Sequence, residues 1–258
     1  MTDAPASTGS PLELVRYAVA DDVATITLDS PRNRNALSRQ LVSELSAALE
    51  RAEADPAAKV VVLRGAGRVF SSGADLSEAA VGSMEEGALT IVALQRQVLA
   101  LGKPVVVRLL GAVRAGGIGI VAAADVVVAA EDATFALTEV KLGLAPAAIS
   151  LTVLPRMTSR AAALACLSGD MFTGRQAVEH GLVTTAVPAA DLDAEVARVC
   201  ASLASGAAQG LRETKALLNR DLLEHLDARG PEVAALSARL FGSEEAQEAM
   251  GAFLSRGR

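Results

Sequence analysis

The sequence predicts an α/β fold, with a largely parallel strand-and-helix core in residues 11–190 and a helical C-terminal region in 191–258. Three observations predict it. Short Val- and Ile-rich runs alternate with segments of helical period through the first half of the chain. From Asp191 onward almost everything has amphipathic helical spacing. The chain is 51 % apolar but only 2 % aromatic. Its core must therefore be Ala, Val, Leu and Ile, with helices set close on strands.

Residues 12–19 and 22–28 flank a short Ala-Asp turn and predict a β-hairpin, with Val, Ile and Thr alternating in the second arm. Leu41, Leu45, Ala48, Leu49 and Ala52 recur at helical spacing, and Ser38 stands where an N-cap is needed, so 38–54 predicts a helix. Residues 59–65 form a buried-strand run, and a loop and a helix ending near Lys103 follow. Residues 104–113 predict a second buried strand, with a helix starting at Gly116. Residues 125–130 and 133–137 predict two more strands. In the C-terminal region Leu211, Leu218, Leu222 and Leu226 make one stripe, and Pro231 is read as the start of a further helix. Residues 1–10 are polar, with no basic or apolar signal-peptide pattern, and are expected to be a flexible tail.

The formal charge of −6 argues against a nucleic-acid partner, since an acidic surface repels phosphates. Arg108, Arg114 and Asp125 interrupt the longest apolar stretches, so no membrane span is expected. Cys166 and Cys200 have neither CxxC nor zinc-ligand spacing. They read as reduced core residues of a cytoplasmic protein, and no metal site is expected.

Three segments carry the candidate chemistry: 69–76 (VFSSGADL), 111–120 (GAVRAGGIGI) and 137–146 (LTEVKLGLAP). The first is a small-residue turn opening into a helix, and Gly73 allows a backbone conformation that other residues resist. The second places Gly116 and Gly117 at another strand-to-helix turn. Helix starts leave N–H groups without internal partners. Two such turns facing each other would make an oxyanion hole, able to hold a thioester oxygen as it becomes an enolate.

These segments resemble the signature regions of the crotonase (enoyl-CoA hydratase/isomerase) family. The first motif is matched by Phe70 to Leu76. The second is matched by Lys103-Pro104 and by Gly111 to Gly117, with Ala115 replacing the first glycine of its triplet. Residues 30–38, 174–183 and 246–256 extend the similarity, in order, over nearly the whole chain.

The resemblance implies a crotonase-like spiral of ββα units and a C-terminal helical trimerisation region, giving a homotrimer or a hexamer built as a dimer of trimers. It implies an acyl-CoA substrate and no cofactor, coenzyme A being the substrate's own handle. It assigns the two oxyanion N–H groups to Ala74 and Gly116. Family hydratases usually carry two catalytic glutamates. One is matched by Glu139, which exchanges a proton with the substrate's α-carbon. The other, which activates water, is replaced here by Gly119.

On that basis the expected activity is hydration of a 2-enoyl-CoA, with a branched or glutaconyl-type acyl group as one option. The alternative is isomerisation of 3-enoyl-CoA to 2-enoyl-CoA by one carboxyl that takes a proton and returns it two carbons away. Ser72, Gly73, Asp75, Leu76, Gly117 and Gly119 are expected to line the substrate site, with Asp75 also supporting the helix start. Arg32, Arg34, Arg68 and Lys103 are candidates for the phosphates of CoA. Arg114 is a candidate for pairing with a distal acyl carboxylate.

Two rivals remain at this level. Residues 117–122 fit a loose GxGxxA dinucleotide pattern, with Glu139 about twenty residues on. A non-catalytic CoA-ester-binding homologue would also explain the lost glutamate. Ser71 and Ser72 have no evident histidine partner for hydrolase chemistry.

Overall fold

The computed structural model describes residues 13–75, 78 and 83–256. The expected N-terminal tail and Leu76 lie outside the described residues. The chain opens with an antiparallel hairpin, β1 (Val15–Ala20) and β2 (Val23–Leu28). Its turn sits one residue later than the Ala-Asp reading. Asp21 and Asp22 take φ of 51° and 63°, the left-handed pair that a two-residue hairpin needs. Helix α1 (Arg39–Ala54) follows, and the Ser38 side chain accepts the Leu41 N–H at 3.3 Å, as the capping pattern predicts.

The core then repeats one unit. A strand of a large sheet passes into a strand of a small sheet, which leads into a helix. β3 (Val60–Gly65) gives way to β4 (Val69–Ser71) and α2 (Met84–Ala100). β5 (Val105–Leu109) gives way to β6 (Ala112–Arg114) and α3 (Gly116–Ala123). β7 (Val126–Ala130) gives way to β8 (Thr134–Ala136) and a 3₁₀ turn, Glu139–Leu142, before α4 (Ala147–Arg156). This is the expected spiral of ββα units. The large sheet has the order β1-β2-β3-β5-β7-β10, with β10 at Thr185–Val187, and is parallel apart from its hairpin edge.

The small sheet has the order β4-β6-β8-β9, with β9 at Phe172–Thr173; β8 is the strand expected over 133–137, and the rest of this sheet is what periodicity misses. Residues 104–113 are two strands rather than one. The chain bends at Gly111, where a β-carbon would sit 2.1 Å from the Arg68 carbonyl oxygen. β9 (Phe172–Thr173) and β10 (Thr185–Val187) are too short to show a period. Among the described residues, α5 (Ser159–Ser168) and α6 (Gly174–Glu179) complete the core. All five β5 side chains are buried, as a strand covered on both faces requires.

The C-terminal region is helical: α7 (Leu192–Ala204), α8 (Ala208–Phe241) and α9 (Glu244–Arg256). Two expectations are corrected here. Pro231 starts no helix but lies inside the 34-residue α8. Just ahead of it the helix is tied to α2: Arg96 pairs with Asp227, and Gly230 sits against Val92. The leucine stripe is buried only in part: Leu226 is 1 % exposed and Leu222 packs against the core, while Leu218 is 75 % exposed.

Lys215, Asn219 and Gly230 face inward beside Leu226. Lys215 pairs with Asp125 at 2.7 Å and donates to the Val98 and Lys103 carbonyls. Asn219 donates to the Leu99 carbonyl. A buried cation with all these partners is tolerable where a lone one is not. This network anchors α8 to the C-terminal end of α2.

Candidate active site

The two glycine-bearing turns meet. A β-carbon on Gly73 would lie 3.7 Å from the Gly116 amide nitrogen, and one on Gly116 would lie 3.9 Å from the Ala74 amide nitrogen. Gly73 has φ +94° and Ala115 has φ +43°, so both turns depend on left-handed backbone. Among the described residues no backbone carbonyl accepts the Ala74 or Gly116 N–H. Gly116 is the first residue of α3, where the peptide dipoles also favour negative charge.

The first turn is clamped by the loop ahead of α1, a role that spacing alone did not single out. Ser72 N–H donates to the Arg34 carbonyl, Ser72 Oγ to the Asn33 carbonyl, and Leu37 N–H to the Gly73 carbonyl. Asn35 ties the loop to β4, since its Nδ2 donates to the Val69 carbonyl while its Oδ1 accepts the Ser30 N–H. Arg34 and Asn35 both have positive φ, a tight double turn of the kind asparagine tolerates.

Glu139 opens the 3₁₀ turn after β8. The residue keeps some exposure, yet its Oε2 is sealed from solvent and has no hydrogen-bond partner. Desolvation pushes its pKa up to about 7, opposed in part by its own backbone N–H. The turn closes at Gly143, with φ +69°, directly against Ala246 of α9. The C-terminal helix of the same chain thus braces the turn that carries Glu139.

Glu139, Ala74 and Gly116 line one cavity of about 380 Å³. Ser72 and Asp75 line it too. Asp75 accepts from Asn33 Nδ2 at 3.3 Å. The remaining wall is mostly apolar, from Val42, Ile91, Leu144, Ile149 and Phe241. None of these was singled out from sequence, because each belongs to a different element and reads as ordinary core.

Gly117 and Gly119 are packing glycines. A β-carbon on Gly117 would meet Ser71, and one on Gly119 would meet Ile149 Cγ2 at 2.5 Å. Both lie inside α3, so the GxGxxA run forms no phosphate-cradling loop.

The expected cations separate into two groups. Arg32 and Arg34 are exposed on the loop that clamps the first turn. Arg68 pairs with Asp132, and the Lys103 ammonium caps the end of α1 through the Ala52 and Asp55 carbonyls. Arg114 turns away from the cavity. Its guanidinium donates to the Val113 and Thr134 carbonyls and to Thr134 Oγ1, and burial lowers its pKa. It is placed for structure rather than for a distal carboxylate. Among the described residues Arg39 is the one cation lining the cavity.

Two N–H groups that no backbone carbonyl accepts thus share a cavity with a desolvated carboxyl of near-neutral pKa, the groups that proton transfer next to an oxyanion calls for. The chain belongs to the enoyl-CoA hydratase/isomerase family, whose sequence model matches residues 19–258. It is 32 % identical over 254 residues to a Bacillus subtilis protein named "Probable enoyl-CoA hydratase", covering 95 % of this chain and 97 % of that one. It is 33 % identical over 237 residues to the 2,3-dehydroadipyl-CoA hydratase of Escherichia coli, covering 91 % and 92 %. The crystal structure of an enoyl-CoA hydratase from Mycobacterium avium superposes with a TM-score of 0.88 at 44 % identity, covering 94 % and 96 %.

Proposed function

We propose that this enzyme moves the double bond of a 3-enoyl-CoA to the 2-position, with Glu139 as its single acid/base. One observation carries the choice of reaction. The place where a second carboxyl would stand is occupied by Gly119 backed by Ile149. In this reading the Glu139 carboxylate takes a proton from C2. The C–H electrons form a dienolate whose oxygen receives the Ala74 and Gly116 N–H groups. Protonated Glu139 then returns the proton at C4, leaving the double bond between C2 and C3 and the carbonyl restored. No atom is gained or lost. A carboxyl with pKa about 7 is matched to both halves of that cycle at neutral pH.

The apolar wall supports an uncharged acyl group, with Arg32 and Arg34 on the CoA side. Hydration of a 2-enoyl-CoA is the second reading, favoured by the names of the relatives above. Assembly as a homotrimer or a dimer of trimers completes the proposal, and light scattering tests it.

The deciding experiment offers purified protein a 3-enoyl-CoA, crotonyl-CoA and a branched glutaconyl-CoA separately, with products identified by mass. Unchanged mass with a moved double bond is expected from the first. A gain of one water from the second or third as the main reaction overturns the isomerase reading in favour of hydration. No turnover of any of them leaves a CoA-ester-binding protein.

A further inference from the structure

We infer that Ile149 decides between moving a proton and adding water at this site. This deepens the isomerase reading and rests on it. Gly119 stands about one helical turn beyond Gly116, so the two residues lie on the same face of α3. Any side chain there would grow into Ile149, with Cγ2 at 2.5 Å and Cβ at 2.9 Å from the first carbon. Ile149 comes from α4, is 3 % exposed, and itself lines the cavity. The space beside Gly119 is therefore filled by a branched hydrocarbon that lines the same cavity as Glu139, rather than merely vacated by a glutamate.

Behind that hydrocarbon is a polar group able to hold water. Gln95 Oε1 would lie 3.1 Å from a β-carbon on Gly119. Gln95 is fully buried, and three bonds fix it. Its Nε2 donates to the Ile91 and Ala148 carbonyls, and its Oε1 accepts the Thr152 hydroxyl at 2.5 Å. An amide oxygen has a second lone pair. Ile149 lines the cavity, and Gln95, on the same side of Gly119, does not.

The Gln95–Thr152 pair bonds α2 to α4 and holds the backbone of Ala148, the residue before Ile149, so the side chain is seated rather than loosely packed. A water molecule needs polar partners as well as room. Removing Ile149 would supply the room, and Gln95 the partner. Ile149 is the specificity residue, and Gln95 and Thr152 are positioning residues.

The test compares wild type with Ile149→Val, Ile149→Ala, Gly119→Glu and the Ile149→Ala/Gly119→Glu pair. The readout is the ratio of hydrate to isomer by mass, with circular dichroism confirming folding. Ile149→Ala is expected to raise that ratio roughly tenfold, while Ile149→Val barely moves it. The paired variant is expected to gain on the order of 10²-fold in hydration, the lower range for a positioned acid/base. Gly119→Glu alone, blocked by Ile149, is expected to gain little.

A folded Ile149→Ala enzyme with an unchanged ratio overturns the inference and leaves the isomerase reading standing. So does a Gly119→Glu variant that hydrates as well as the pair. A wild-type enzyme that releases mainly hydrate overturns the isomerase reading itself, and this inference with it.

Discussion

Gly73 and Ala115 approach so closely that a β-carbon on Gly73 would lie 2.9 Å from the Ala115 Cβ. That contact joins the two turns bearing the Ala74 and Gly116 N–H groups. Gly73→Ala should therefore act twice. It places an L side chain at φ +94°, which costs about 1–2 kcal/mol in stability, and it pushes the two donors apart. Losing one oxyanion donor costs on the order of 10²–10³-fold in kcat. Steady-state kinetics on the folded variant should show a fall in kcat larger than any change in KM. Unchanged kcat would remove the two turns from the mechanism.

Glu139→Gln keeps the shape of the carboxyl and removes its proton chemistry. A fall of about 10²–10⁴-fold in turnover is expected. In the proposed reaction the base form takes the first proton, so kcat/KM should rise with pH through an apparent pKa near 7. Burial is the main cause of that value. The Cys166 thiol is the neighbour whose own pKa the Glu139 charge helps to raise, after burial. A profile flat from about pH 5.5 to about pH 8.5 would show that another group moves the proton.

The site was legible in sequence where it depends on backbone. Gly73, Gly116 and the β8-to-turn position of Glu139 stand in short local patterns, and local patterns dictate backbone shape. What was not legible depends on elements distant in sequence. Ile149 reads as a core residue of a helix until α4 packs on α3. Arg114 reads as a free cation until Thr134, twenty residues on, accepts its donors. Likewise the large sheet announced itself through buried Val runs, and β8 through the run at 133–137, while the three-residue strands β4 and β6 did not announce themselves. Residues 211–226 misled for the opposite reason. The leucines suggested an apolar seam, but the inward positions Lys215 and Asn219 are polar and satisfied.

That polar seam gives a stability prediction. Lys215 is almost fully buried, and desolvation lowers its pKa while Asp125 opposes the shift. Removing one partner of a buried pair leaves the other charge uncompensated, typically a loss of about 3–5 kcal/mol. Asp125→Ala also leaves the Val105 N–H, which Asp125 Oδ2 accepts, without its partner. Urea unfolding should show a midpoint well below wild type. A loss under about 1 kcal/mol, the range of a surface pair, would mean that water reaches the Lys215 ammonium.

Glu139 should also burden the fold in a pH-dependent way. Its pKa is raised from 4.5 to about 7, so between those values the native state binds more protons than the unfolded chain. Stability contributed by the protonated carboxyl is complete below pH 4.5 and is lost as pH rises through 7. The full span is worth about 3 kcal/mol at roughly 1.36 kcal/mol per pKa unit. A glutamine amide at this position does not titrate and carries no such dependence. The stability of the Glu139→Gln variant relative to wild type should therefore rise by roughly 2–3 kcal/mol between about pH 5 and about pH 8, read as the widening gap between their urea midpoints. The same variant would then be catalytically crippled and, at the higher pH, more stable, as expected when a carboxyl is held in a desolvated place for its chemistry. A gap that stays constant between the two pH values would mean that Glu139 is solvated in the native protein. The near-neutral pKa behind its acid/base role would then fall as well.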